Sequence, residues 1–110
     1  MTGAEAEDRV ASALVEGGWW ICARNWRGGG GEIDLVASSA GRLRFVEVKL
    51  RDAGEPLADD AVPGPKQRRL RQAALAWLDQ HGEPRVECAF LLAMVDHDGA
   101  IAWTDDAFDG

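Results

Sequence analysis

Two short runs, EIDLVAS (32–38) and RLRFVEVKL (42–50), are separated only by Ser39-Ala40-Gly41. Both are rich in branched and aromatic residues, and a spacer this short leaves a β-hairpin as the arrangement that pairs them. Neighbours two apart on a strand share a face. Glu32 and Asp34 therefore lie together on one strand, and Glu47 and Lys49 together on the other. A two-residue turn at Ala40-Gly41, or a four-residue loop 39–42, sets Asp34 opposite Glu47 and Glu32 opposite Lys49. An odd-numbered loop would break that register.

Two facing carboxylates cost a sheet about 0.2–1 kcal/mol unless a cation lies between them. Mg²⁺ suits the position, with Mn²⁺ as an alternative, because such ions take oxygen ligands from one or two carboxylates and complete their shell with water and phosphate. Lys49 beside the metal would position or deprotonate an attacking water and offset charge in the transition state. Glu32 would be its ion-pair partner or an outer-shell group. The same spacing also describes a solvated strand face carrying a salt-bridge ladder. Spacing alone leaves both readings open.

The rest of the chain predicts one domain over residues 1–104 with an acidic tail at 105–110. Thr2 with Glu5 fits a capping box for a helix over 3–17, with Ala6, Val10, Ala13 and Leu14 at helical spacing and Gly17-Gly18 as its stop. WWICARNW (19–26) reads as a strand, and the glycines 28–31 as a flexible turn without the Gly-Lys-Ser/Thr of a phosphate-binding loop. Residues 51–64 are a polar loop. From Pro65, residues Leu70, Ala73, Ala74, Trp77 and Leu78 mark a second amphipathic helix closed by His81-Gly82. RVECAFLLAMV (85–95) reads as a strand covered on both faces and AIAWT as a short partner. The order α-β-β-β-α-β-β predicts an α/β fold: a mixed sheet flanked by two helices.

Charge is unevenly spread. Residues 24–71 carry ten Lys and Arg against seven Asp and Glu, a net of +3, whereas the whole chain stands at −7. One cationic face on an acidic body is compatible with phosphate binding. KQRRLR (66–71) opens the second helix, and Lys66, Arg68 and Arg69, with Arg51 and Arg27, are the candidate nucleic-acid contacts. A solvated helix face explains the same run. Glu7 edges the apolar face of the first helix, where it either leans toward the carboxylates or serves the helix dipole. Cys22 and Cys88 read as buried thiols, since no zinc spacing accompanies them. His81 and His97 read as surface loop residues. Trp77 is core by spacing, Trp19, Trp20 and Trp103 read as strand packing, and Trp26 could stack on a base. No apolar run reaches the length of a transmembrane helix, and no signal-peptide pattern opens the chain, so a cytoplasmic protein without membrane contact is expected.

GEIDLVA followed by FVEVKLR resembles the bacterial YraN-type proteins. These are predicted endonucleases distantly similar to archaeal Holliday junction resolvases, within the PD-(D/E)xK nuclease superfamily. The likeness extends to Gly3, the AED at the start of the first helix, ARNWR, KQRRLRQAALAWL and the terminal DDAF. It implies a restriction-endonuclease-like core with Asp34 and Glu47 as metal ligands, Lys49 as the water-activating or charge-stabilising lysine and Glu7 as the helix-borne acid. Leu50 and Ala89 depart from it, where relatives more often carry Thr and Asp. The implied activity is Mg²⁺-dependent hydrolysis of DNA phosphodiesters, with branched DNA as a candidate substrate. A homodimer would suit an enzyme that must cut two strands. The alternatives are a nucleic-acid-binding module of the same fold without turnover and a protein-interaction domain.

Overall fold

The computed structural model describes residues 1–51, 62–82 and 87–105. The elements are α1 (Gly3–Glu16), β1 (Trp20–Gly28), β2 (Gly31–Ser39), β3 (Arg42–Arg51), α2 (Gly64–His81), β4 (Glu87–Asp96) and β5 (Ile101–Asp105). They form the expected α-β-β-β-α-β-β order and one mixed five-stranded sheet in the order β1-β2-β3-β4-β5. β1, β2 and β3 are antiparallel neighbours, as are β4 and β5, while β3 and β4 run parallel across the α2 crossover. Most of the polar loop read over 51–64 and the terminal residues 106–110 fall outside the described residues. Asp105, placed in the tail by the sequence pattern, is the last residue of β5.

Local chemistry explains the boundaries. Thr2 caps α1 through its hydroxyl, which accepts from the Glu5 N–H at 3.1 Å, while the Glu5 carboxylate accepts from the Thr2 N–H at 2.9 Å. This reciprocal pair satisfies two of the orphan donors at a helix start. The hairpin β2–β3 turns at Ala40-Gly41, both at positive φ (47° and 79°), the geometry that matches the twist of paired strands. That turn sets the register Leu35↔Val46 through Ser39↔Arg42. The glycine run is not a loose connector. Gly29 and Gly30 make a second tight turn, and a Cβ on Gly29 or Gly31 would collide with the carbonyls of Gln72 and Arg69, so the turn rests directly on the α2 backbone.

The helices cover opposite faces of the sheet. Ala6, Val10 and Leu14 of α1 pack on Leu35, Ala37, Val46, Leu91, Ala93 and Val95. Ala73, Ala74 and Trp77 of α2 pack on Ile33, Val36, Leu43 and Phe45, and Leu70 joins Val62, Leu92 and Met94. Each fully buried branched side chain contributes about 1.5–3 kcal/mol of burial. The run Leu91–Val95 is buried throughout because β4 lies inside the sheet with both faces covered.

Several single-residue expectations change. Cys22 and Cys88 are thiols, but both are exposed. Cys22 sits where the β1–β2 register slips on the edge strand, and Cys88 precedes the buried part of β4. Trp20 is largely and Trp103 partly exposed, as each stands on an edge strand, whereas Trp19 packs against the α1-side core. Trp26 meets Trp77 edge-on at 5.4 Å between ring centroids, so its ring belongs to the α2-side core rather than to an open stacking surface. His81 is helical, stacked on Trp77 at 4.0 Å.

Candidate active site

The β2–β3 ladder ends at Leu35↔Val46. One step further, where Asp34 and Glu47 would pair, the strands part and the Asp34 side chain fills the gap. Its Oδ2 accepts the Val48 N–H at 2.8 Å. Asp34 thus takes over a backbone donor that the splayed strands would otherwise strand. The expected register holds, and it brings Asp34 and Glu47 together. The expected Glu32–Lys49 pairing does not form in the ladder. Glu32 lies beyond its end and pairs with Arg27 of β1, their charged ends 3.9 Å apart.

Glu47 is buried, with 6% of its surface exposed. Its Oε1 accepts a hydrogen bond from Lys66 Nζ at 2.7 Å. Lys66 lies in the first turn of α2, and that turn is held in place by Leu70, buried four residues on, and by Gln67, whose Nε2 donates to the Val62 carbonyl at 2.8 Å. Lys49 is half-buried on β3, two residues beyond Glu47 and on the same strand face. Glu7 reaches the cluster from α1, where it is half-buried with Asn25 as a hydrogen-bond partner. Asn25 adopts positive φ (50°) inside β1. Its role was not read from the sequence, although asparagine within the strand-like ARNWR was the available signal.

The electrostatics follow from this crowding. Burial, and then the neighbouring Glu47 carboxylate, push Asp34 up to about 6, against the stabilising Val48 N–H and Lys66. Burial and Asp34 likewise push Glu7 upward. The hydrogen bond to Glu47 holds Lys66 above the ordinary lysine range, with Asp34 and Glu32 adding to the effect. Burial, with the close approach of the carboxylates to one another, therefore disfavours their charged forms, and Lys66 offsets part of that.

One groove of about 660 Å³ is lined by Asp34, Glu47 and Glu32 together with Arg27, Lys66 and Arg69, while Lys49 and Glu7 are not among its lining residues. Glycines 28, 30 and 31 form part of the wall, so the close fit of the glycine turn on α2 also shapes the groove. Of the other predicted contacts, Arg68 is exposed on α2. Arg51 is engaged in a two-point pair with Asp96, at 2.8 and 3.1 Å, that ties β3 to β4. Among the described residues, no three His, Cys, Asp or Glu side chains converge as a closed ligand set. Asp34 and Glu47 present their carboxylates to the same open groove. No helix of the described chain is long and apolar enough to cross a membrane.

A family model described as the uncharacterised protein family UPF0102 matches residues 6–95. A UPF0102 protein of Nitratidesulfovibrio vulgaris (strain DP4) is 40% identical over 112 aligned residues, which span 98% of this chain and 84% of the relative. One from Synechococcus sp. (strain JA-3-3Ab) is 44% identical over 98 residues, spanning 86% and 74%. One from Rhodococcus jostii (strain RHA1) is 42% identical over 100 residues, spanning 86% and 83%. Neither the family description nor these names state an activity.

Proposed function

This chain belongs to the UPF0102 family, and from that premise we propose that it is a divalent-metal-dependent nuclease acting on DNA phosphodiesters, with branched DNA as its substrate class. The observation that carries the reading is the meeting of Asp34 and Glu47 just past the end of the hairpin ladder, in a groove that Arg27, Lys66 and Arg69 also line. A purely structural pair would be balanced by fixed partners. Here one carboxyl is pushed up to about 6 by burial and by the other, which is the condition a bound cation relieves.

The donors fit a hard divalent ion: two carboxylates, one buried and one anchored by a backbone N–H, beside open groove volume for water and phosphate. Mg²⁺ bound there would supply Lewis-acid polarisation of a phosphoryl oxygen. Asp34 and Glu47 would hold the ion, and the Val48 N–H fixes the Asp34 carboxylate in orientation. Lys49, on the same face of β3, would orient a water and offset charge as the phosphorus becomes five-coordinate. Arg27, Lys66 and Arg69 would receive the flanking phosphates, which positions the strand without reading its sequence. Glu7 would bound the cluster from the α1 side.

A nucleic-acid-binding module without turnover is the second reading, favoured by the direct Lys66–Glu47 ion pair, which already satisfies one carboxylate. The two separate in one assay. Purified protein with Mg²⁺ or Mn²⁺ is incubated with four-way junction, flap and plain duplex DNA, beside an Asp34→Asn/Glu47→Gln double variant. Metal-dependent product from the wild type and none from the double variant is expected. Salt-sensitive binding by both proteins with product from neither would favour the module.

A further inference from the structure

Lys66 is the feature of the groove that the metal reading leaves unexplained. Its ammonium lies 2.7 Å from Glu47, within the region that a cation shared with Asp34 would occupy. It is held there by charge rather than by packing. Its side chain is 53% exposed, while that of Glu47 is 7% exposed. One partner is therefore fixed, and the other is a long stem free to swing into the groove. Arg69, one turn further along α2, lines the same groove.

Resting on the proposed function, we propose that Lys66 is a tethered counter-cation. In the metal-free protein it neutralises the Asp34–Glu47 pair. A divalent cation displaces it, and the released ammonium turns to a phosphate of the bound strand. Like charges enforce the exchange: an ammonium hydrogen-bonded to Glu47 and a doubly charged ion on the same carboxylate repel strongly in a half-buried site. A phosphate arriving with the strand offers the displaced ammonium a new partner in the same groove. Lys66 thereby couples the two binding events, metal favouring DNA and DNA favouring metal, as linkage requires. Lys66 is a positioning residue in this scheme, and Lys49 keeps the role on the reacting side.

Metal titrations followed by thermal melting, without DNA, test the exchange directly, because an ion bound only to the folded state raises its melting temperature. Each variant is measured against its own metal-free melt. Lys66→Met is expected to lower the half-saturating Mn²⁺ concentration by about tenfold or more, since the competing charge is gone. Arg69→Met, which removes a groove cation that does not pair with Glu47, gauges the general field and is expected to shift it by less than about threefold. Lys66→Gln retains a donor for Glu47 without the charge, and should behave as Lys66→Met if that variant folds poorly. With Ca²⁺ present, Lys66→Met should also weaken duplex binding and reduce the salt slope by about one. Equal metal midpoints for wild type and both Lys66 variants would overturn the exchange, as would weaker metal binding in those variants or a complete absence of metal response in all proteins. Cleavage by the wild type is a separate observation, so the exchange can fail while the nuclease reading stands.

Discussion

Arg44 and Glu47 lie three residues apart on β3 and are the buried charged residues of the described chain, each 6% exposed. Their surroundings differ in kind. The Arg44 guanidinium donates to Asp105 at 3.1 Å, Glu87 at 3.3 Å and the Leu43 carbonyl at 3.1 Å, and it lies 5.7 Å from the Trp19 ring centroid. Its charge is balanced by two carboxylates, and its planar donors are shared among three acceptors. Glu47 shares its groove with two more acids, Asp34 and Glu32, and its direct cationic partner Lys66 is half in solvent. One buried charge is closed by its own protein. The other rests on a long, half-exposed lysine, with two more carboxylates beside it.

The steepest change is expected at the Glu47 end. Glu47→Gln should lower metal-dependent cleavage by about 10²–10³-fold, the scale seen when a group acting on transition-state charge is removed, while the metal-free fold survives. Gel-based cleavage and a melt measured together would check both parts. Arg44→Met should do the reverse. Removing a buried cation from two half-exposed carboxylates should cost about 1–3 kcal/mol, a melting decrease of several degrees for a domain of this size, with an unchanged metal response. If Arg44→Met abolishes the metal response as well, the two sites are not separable and the comparison fails.

The smallest effect concerns pH. Asp34 is raised in the folded protein to about 6 from the ordinary 3.8. Between those values the folded state binds more protons than the unfolded chain. The contribution is therefore fully present below about 4 and lost as pH rises through about 6. Without metal, wild-type stability relative to Asp34→Asn should fall across that window by on the order of 1–2 kcal/mol, less than the full shift converts to, because the carboxyl keeps some solvent access. Saturating Mg²⁺ should reverse the slope for wild type only, since the ion prefers the ionised pair. Urea melts from pH 4 to 7, with and without metal, would show it.

Much of this architecture was legible locally. The capping box of α1, the short Ala40-Gly41 turn and the apolar spacing of α2 depend on residues within a turn or two of one another, so pattern and structure coincide. The hairpin register, continued one step past its last paired residues, brings Asp34 and Glu47 into the same groove. The Glu32–Lys49 pairing, two residues further out, does not form, because alternation assumes a ladder that continues, and here it stops at Leu35↔Val46 and Asp34 captures the Val48 N–H. Cys22 failed for a related reason. An apolar-looking run said nothing of the register slip that turns the thiol outward on an edge strand.

Short-range geometry and periodic burial suffice for the set of elements, their order and the register of the hairpin, so these were readable from the residues alone. Tertiary structure alone decided three further things. It seated the glycine turn on the α2 backbone, brought Lys66 from a separate helix to within 2.7 Å of Glu47, and enclosed Arg44 between acids of β4 and β5. The physical reason is common to all three. Each is a meeting of segments distant in the chain, and whether a charge ends balanced or exposed depends on which segments the packed core brings to it.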